Sequence, residues 1–576
     1  MRCLSLFNPT LAIWIAYLLL NTSAFAQPVG NSSSQARSLG NDLQERQNTD
    51  QLWPDDNNPS PAFTLPKLPA PNADNPISQR LKFYCQTIRL TGNTVFPSTE
   101  LEKITLPYSH RELSNQELQQ LRYQLTRYYV DHGYINSGAV IPDQTLKDSI
   151  LEIQLIEGKL DQIQIHGIEH FNREAIQERI ALAADNPLQV NRLQDNLQLL
   201  LENPLIERIN AELLPGAQPG SAILKTLLKE KNPYQFGMIF DNQIAPSLGG
   251  YQGTSYAGYR NLTGLGDAFT AQGRFAPGMT GVGIDYWLPL NRYDTTFHTW
   301  YSHYDSNIVE QPFNQIDVTS NSQAYGINLT QPLIHHPGLK LSGTLTLEHR
   351  QSLTSLLGQP FSFSPGVQNG KSSVTVLRIG QEWLQRSTEQ VFAARSVFNV
   401  GLDALDATIN TAAPDGRFFS WLGQLQWGQR LRAGQLIWRG DMQLANDGLL
   451  PLEKFQIGGA NSVRGYRENQ IVRDSGFSTS LEYRYPIFSD FFGQEKFFIA
   501  PFADLGRAWN VGNYSTTTSL TGSGNMLAST GFGFIWEPTR KIHTHLYWGQ
   551  TLIAVNNPHQ DPQDYGFHFK LAGQFL

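Results

Sequence analysis

With 576 residues, 16% of them charged and 11% aromatic, the chain is too long for one ordinary domain. Its formal net charge of −7 leaves no nucleic-acid footprint. A mean hydropathy of −0.33 excludes a bundle of membrane-spanning helices but suits a membrane β-barrel, whose lipid face is apolar and whose lumen is polar.

Residues 1–26 read as a secretory signal peptide. Arg2 precedes the apolar run Leu11 to Leu20, and Ala24-Phe25-Ala26 forms a small-x-small cleavage site. Its removal takes Cys3 away and leaves Cys85 as the thiol of the mature chain. Residues 27–53 are polar, and 34–52 fit an amphipathic helix carrying Leu39 and Leu43, a candidate plug. Seven prolines between Pro54 and Pro76 mark 54–80 as an extended, semi-rigid linker.

Two small modules are expected next, at 81–157 and 158–232. In the first, 83–90 alternates as a strand and 98–104 suits a short helix. Ser114 and Glu117 form a capping box for a helix with Leu118, Leu121, Leu125, Tyr128 and Tyr129 on one face, closed by Gly133. Strands follow at 137–141 and 149–156. The second repeats the pattern: a strand at 160–166, helices at 172–184 and 191–201, and a hairpin of 206–214 with 222–228. Neither carries a nucleophile–base pair or a metal-ligand cluster. Binding modules and plain spacers both fit, and open strand edges favour capture of an extended peptide by strand addition.

From residue 233 to 576 the period changes to two. Phe419, Trp421, Leu425 and Trp427 oppose Ser420, Gln424 and Gln426, and Phe567, Phe569 and Leu571 oppose His568, Lys570 and Ala572. Sixteen strands are expected, centred near residues 238, 258, 270, 284, 299, 326, 344, 379, 395, 422, 440, 481, 500, 531, 546 and 570. Tight turns at 287–291 and 335–338 fall after even-numbered strands, as periplasmic turns should. The pairs His335/His336 and His543/His545 have no completing ligands in the sequence and read as turn or lumen residues. No motif for a catalytic site, a cofactor or a metal is present.

One glycine-rich stretch, 458–466, carries a single arginine, Arg464. On its own residues it is either an ordinary hairpin loop or a tip that presses Arg464 into a narrow space. Gly133-Tyr134, Ile141-Pro142-Asp143-Gln144 and Glu157-Gly158 resemble the first polypeptide-transport-associated (POTRA) domain of the two-partner secretion transporters, the ShlB/FhaC/HecB or TpsB family. Leu213-Leu214-Pro215-Gly216 is similar to the closing hairpin of the second domain. Val463-Arg464-Gly465-Tyr466 matches that family's inward-folded sixth external loop, and the stretch with Phe502, Asp504 and Gly506 resembles its barrel-wall partner.

The resemblance implies a 16-stranded antiparallel transmembrane β-barrel preceded by two small α+β POTRA domains. It implies a bacterial outer-membrane protein, with the modules in the periplasm, that exports a secreted partner without nucleotide hydrolysis and is not an enzyme. The partner would be β-helical and adhesin- or haemolysin-like. Outer-membrane lipids and the barrel assembly machinery would be further partners, and nucleic acid would not be one. Arg464 would meet Asp504 across a wet lumen, weakly enough to let go. Two other functions stay open at this stage, a barrel-assembly factor and a solute channel anchored by its modules. The terminal Phe575-Leu576 departs from the aromatic ending usual in such barrels.

Overall fold

The computed structural model describes residues 62–64, 82–489, 495–512, 525–539 and 541–575. The signal peptide, the candidate plug helix, most of the linker and Leu576 lie outside them. One compact unit comprises Asn58–Asn232 with Thr263–Gly266, and the chain from Pro233 otherwise forms a second.

In the first module, helix Ser98–Thr105 precedes the long helix Asn115–Asp131. The Ser114 hydroxyl accepts from the Glu117 N–H, and the Glu117 carboxylate accepts the Ser114 N–H at 2.8 Å, so two orphan donors are satisfied reciprocally. Leu121, Leu125 and Tyr129 recur every four residues and are fully buried in one cluster with Leu151, Ile153 and Leu155 of strand Ile150–Ile156. The strand expected over 83–90 is in fact two. Lys82–Cys85 pairs antiparallel with Arg111–Ser114, whereas Thr87–Thr91 runs parallel to Ile150–Ile156. Two different sheets claim the two halves, and the chain bends between them at Gln86.

The second module contains strand Lys159–His166, helices Arg173–Ala181 and Val190–Leu201, and the hairpin Ile206–Pro215 with Ser221–Glu230. Its sheet gains a fourth member from the linker. Ala62–Thr64 lies parallel to Ile206–Pro215 and covers that edge, leaving Lys159–His166 as the other outer strand. The edges are therefore less open than the sequence suggested. The modules are also tied directly to each other. Asn136 Nδ2 donates to Gly220 O at 2.9 Å, and the Val190 N–H donates to Gly133 O at 2.9 Å.

The second unit is a closed antiparallel barrel in which sequence neighbours pair in order and the first strand, Tyr234–Asp241, pairs with the last, Phe567–Gln574. It has sixteen wall strands, and each expected centre falls inside one of them; the two-residue Gln359–Pro360 only extends the seventh. Several strands exceed the roughly 9–11 residues a bilayer requires. The sixth, Val318–His336, has 19. His335 and His336 belong to it, as Trp287–Pro289 belong to Met279–Pro289, so both turns start later than expected. Side chains alternate across the wall. In the seventh strand, Leu339–Leu356, Leu345 and Leu347 are 48% and 37% exposed, while Glu348 and Arg350 are buried toward the lumen.

The loop tip against the barrel wall

Between the eleventh strand, Gly434–Ala445, and the twelfth, Ser475–Ser489, the chain turns back into the barrel through a small hairpin of Phe455–Ile457 with Ile471–Arg473. The wall opposite its tip is set by register. Ser480 pairs with Asp504 and Glu482 with Phe502, so two adjacent strands present two carboxylates, a hydroxyl and a ring on the same face.

Arg464 fills that arrangement. Its Nε and one terminal nitrogen donate to the two oxygens of Asp504, each at 2.8 Å, in the fork geometry that matches a carboxylate. Its own backbone N–H donates to Asp504 Oδ2 at 2.9 Å. The remaining donors reach Glu482 and, at 2.8 Å, Ser480 Oγ. The guanidinium carbon lies 3.6 Å from the centroid of the Phe502 ring and 4.7 Å from that of Tyr547. Arg464 is 4% exposed and Asp504 3%, which corrects the expectation of a wet contact. A buried pair broken on one side costs roughly 3–5 kcal/mol, well above the ~1 kcal/mol of an ion pair in bulk water.

The rest of the motif makes this approach possible. Gly465 has φ +90°, and a Cβ there would stand 2.8 Å from Gly549 O. Its N–H donates to His568 Nε2 at 3.1 Å. A Cβ on Gly506 would meet Val463 Cγ2 at 2.8 Å, so the glycine makes room for the fully buried valine. The Tyr466 hydroxyl donates to Ala528 O at 2.7 Å and accepts the Ile553 N–H at 3.2 Å. Thus Arg464 meets Phe502 and Asp504 and Val463 meets Gly506, while Gly465 and Tyr466 are held by Gly549, His568, Ala528 and Ile553. Sequence reasoning missed Glu482, Ser480, Tyr547 and His568. Their signal was lumen-facing parity on strands near Asp504, but barrel register was needed to use it.

Beyond the motif, Arg467 pairs with Asp564 and, at 2.8 Å, with Glu310, so the same loop grips two other external loops. His335 lies 3.6 Å from Asp294, and His543 and His545 share the lumen-facing parity of Tyr547 on Ile542–Thr551. Among the described residues, no group of three or more His, Cys, Asp or Glu is placed to hold a metal ion.

The family described as haemolysin secretion/activation protein ShlB/FhaC/HecB matches residues 220–532, more than half of the chain. The chain belongs to this family. A ShlB-type POTRA domain matches residues 83–158, the first module. The outer membrane transporter CdiB of Dickeya dadantii (strain 3937) is 23% identical over 333 residues, covering 56% of this chain and only 57% of that protein. The structure of CdiB from Escherichia coli has a TM-score of 0.67 at 20% identity and covers 94% of this chain and 98% of its own. CdiB from Acinetobacter baumannii gives 0.61 at 17%, covering 96% and 99%. At such identities the structural likeness concerns the fold. As a ShlB/FhaC/HecB member, the chain is an outer-membrane barrel with its POTRA modules on the periplasmic side.

Proposed function

We propose that this protein exports a partner exoprotein across the outer membrane, without nucleotide hydrolysis, and that the sixth loop is the latch of its pore. The observation that carries this reading is the buried Arg464–Asp504 fork inside a closed barrel of this family. An ion pair whose halves sit on a loop and on the wall has two discrete states, which is what a gate needs. The POTRA modules receive the unfolded N-terminal domain of the partner by strand addition, for which Lys159–His166 offers an outer strand. The cargo is a β-helical, adhesin- or haemolysin-like protein, and its folding outside the cell supplies direction. The barrel reaches the membrane through the assembly machinery. Its Asp and Glu side chains serve as structural anchors and do no catalysis.

The test is export of the partner from cells carrying Arg464→Ala. Partner in the medium is expected to fall by tenfold or more, about the effect of 1.4 kcal/mol on a barrier, with the barrel at normal abundance in the membrane. Normal export at normal abundance would overturn the latch. Loss of residues 160–230 is expected to abolish capture of the partner's N-terminal domain in a pull-down, and unchanged capture would remove the second module from recognition.

A further inference from the structure

Earlier in the same loop, a second charged side chain of opposite sign is buried against a different part of the wall. Glu453 ends the short turn Pro451–Glu453 and is 3% exposed. It accepts from both terminal nitrogens of Arg378, at 2.9 and 3.1 Å, and lies 3.5 Å from Arg350. Glu348 completes the group, 2.8 Å from Arg378 and 3.0 Å from Arg350. All four side chains are buried. Backbone contacts reinforce the group: Arg350 donates to Leu452 O at 3.3 Å, and Gln443 Nε2 to Glu453 O at 2.9 Å. Leu449, Leu450 and Leu452 pack in one buried cluster with Val374, Val376 and Phe418.

The distribution of charge is informative. Of these four side chains, the seventh and eighth strands supply two guanidiniums and one carboxylate, and the loop supplies the second carboxylate. At the tip the roles are reversed. There the twelfth and thirteenth strands supply Glu482, Asp504 and Arg484, and the loop supplies the guanidinium. The two sockets lie five strands apart around the barrel, and the loop brings a carboxylate to one and a guanidinium to the other. A group that only stiffened the wall would need no member from the loop. Burying an ionic group whose balance depends on the loop is costly if the loop leaves, because a charge loses its partner in a dry site.

We propose that Glu453 is a second anchor of the sixth loop, a positioning residue that holds its root to Arg350 and Arg378. The tip swings about this root when Arg464 lets go, and the loop leaves the lumen only when both sockets empty. The inference rests on the gating role given to Arg464. It is tested with purified full-length protein in planar bilayers, each variant being used after heat-modifiable migration has shown a closed barrel. Arg464→Ala is expected to give brief openings. Adding Glu453→Gln is expected to lengthen the open lifetime by at least about tenfold, whereas adding Glu453→Asp, which keeps the charge, lengthens it far less. Should Glu453→Gln fail to fold, Arg378→Lys takes its place, since it keeps the charge, loses the fork and is expected to lengthen openings likewise. Equal lifetimes with and without the root substitution would overturn the anchor and leave the latch standing. An Arg464→Ala channel as silent as the parent would overturn the latch. The anchor is then judged on the double variant Arg464→Ala/Glu453→Gln, openings at least about tenfold more frequent than in Arg464→Ala supporting it and silence overturning it.

Discussion

At Arg464 the decisive property is shape as much as charge. Five N–H donors in a fixed plane meet Asp504, Glu482 and Ser480 at once, over the face of Phe502. Lysine offers a point charge and cannot span these partners. Arg464→Lys should therefore export close to the level of Arg464→Ala, about tenfold below the parent, in the same secretion assay. Gly465→Ala tests the backbone beside it. An alanine at φ +90° costs roughly 1–2 kcal/mol, and its Cβ would collide with Gly549 O. The tip should loosen, and limited trypsin digestion after Arg464 and Arg467 should quicken several-fold; an unchanged digestion rate would show that the tip tolerates the strain. The arginine was legible as the residue to watch. Its second carboxylate was not, because Glu482 is one of many charged residues on alternating strands until pairing sets it beside Phe502.

Among the elements, the first module shows how a single carboxylate can join a helix to a loop. Glu157 accepts the N–H groups of Thr94 and Val95, at 2.7 and 3.0 Å, and the hydroxyls of Thr94 and, at 2.9 Å, Tyr129. Burial opposes its charge, but these hydrogen bonds outweigh burial and hold its carboxyl below the usual range. A depressed folded-state value means that the stabilisation is present above the ordinary glutamate range and is lost as pH falls through the folded value. In Glu157→Gln the Thr94 and Val95 amides should exchange hydrogen faster than in the parent at pH 7, and the difference should vanish in strong acid. An equal gap at both pH values would exclude the carboxylate as cause. Ser114→Ala should cost about 1 kcal/mol through loss of the cap at Asn115–Asp131, read as faster exchange in its first turn. Both helices of this module were legible from spacing and capping. Arg111–Ser114 was not, since four residues with two charges carry no strand pattern until Lys82–Cys85 lies beside them.

For the molecule as a whole, barrel closure is the weak point and has its own reinforcement. Only five residue pairs join the first and last strands, Gly237↔Gln574 to Asp241↔Lys570, against eleven between the fourth and fifth strands. Asn242 continues this seam with its side chain. Its Oδ1 accepts the Phe569 N–H at 2.7 Å, and its Nδ2 donates to Phe567 O at 2.9 Å, as a further strand residue would. Gln563 then donates to the carbonyl oxygens of Asn242 and Ile244, each at 2.8 Å, and accepts the Glu468 N–H of the sixth loop. Asn242→Ala should lower barrel stability by roughly 1–3 kcal/mol, the net value of two hydrogen bonds, and so lower the temperature at which the heat-modifiable band is lost. An unshifted temperature would mean that backbone pairing closes the seam unaided.

Alternating side chains, capped helices and the glycine-flanked Arg464 determined a great deal by themselves: the two kinds of architecture, all sixteen strand positions, and one candidate arginine. These are local properties, since a period of two or a capping box is complete within ten residues of chain. Only the tertiary structure decided that the linker pairs with the second module's sheet, that the strand near residue 86 breaks, and that Arg464 enters a dry socket made by Glu482 as well as Asp504. Each of these depends on which distant segment supplies the hydrogen-bond partner, and burial, which makes that socket strong, exists only once the wall has closed. The glycine-rich stretch alone was compatible with an ordinary hairpin; the register of the neighbouring strands gives its arginine somewhere to go.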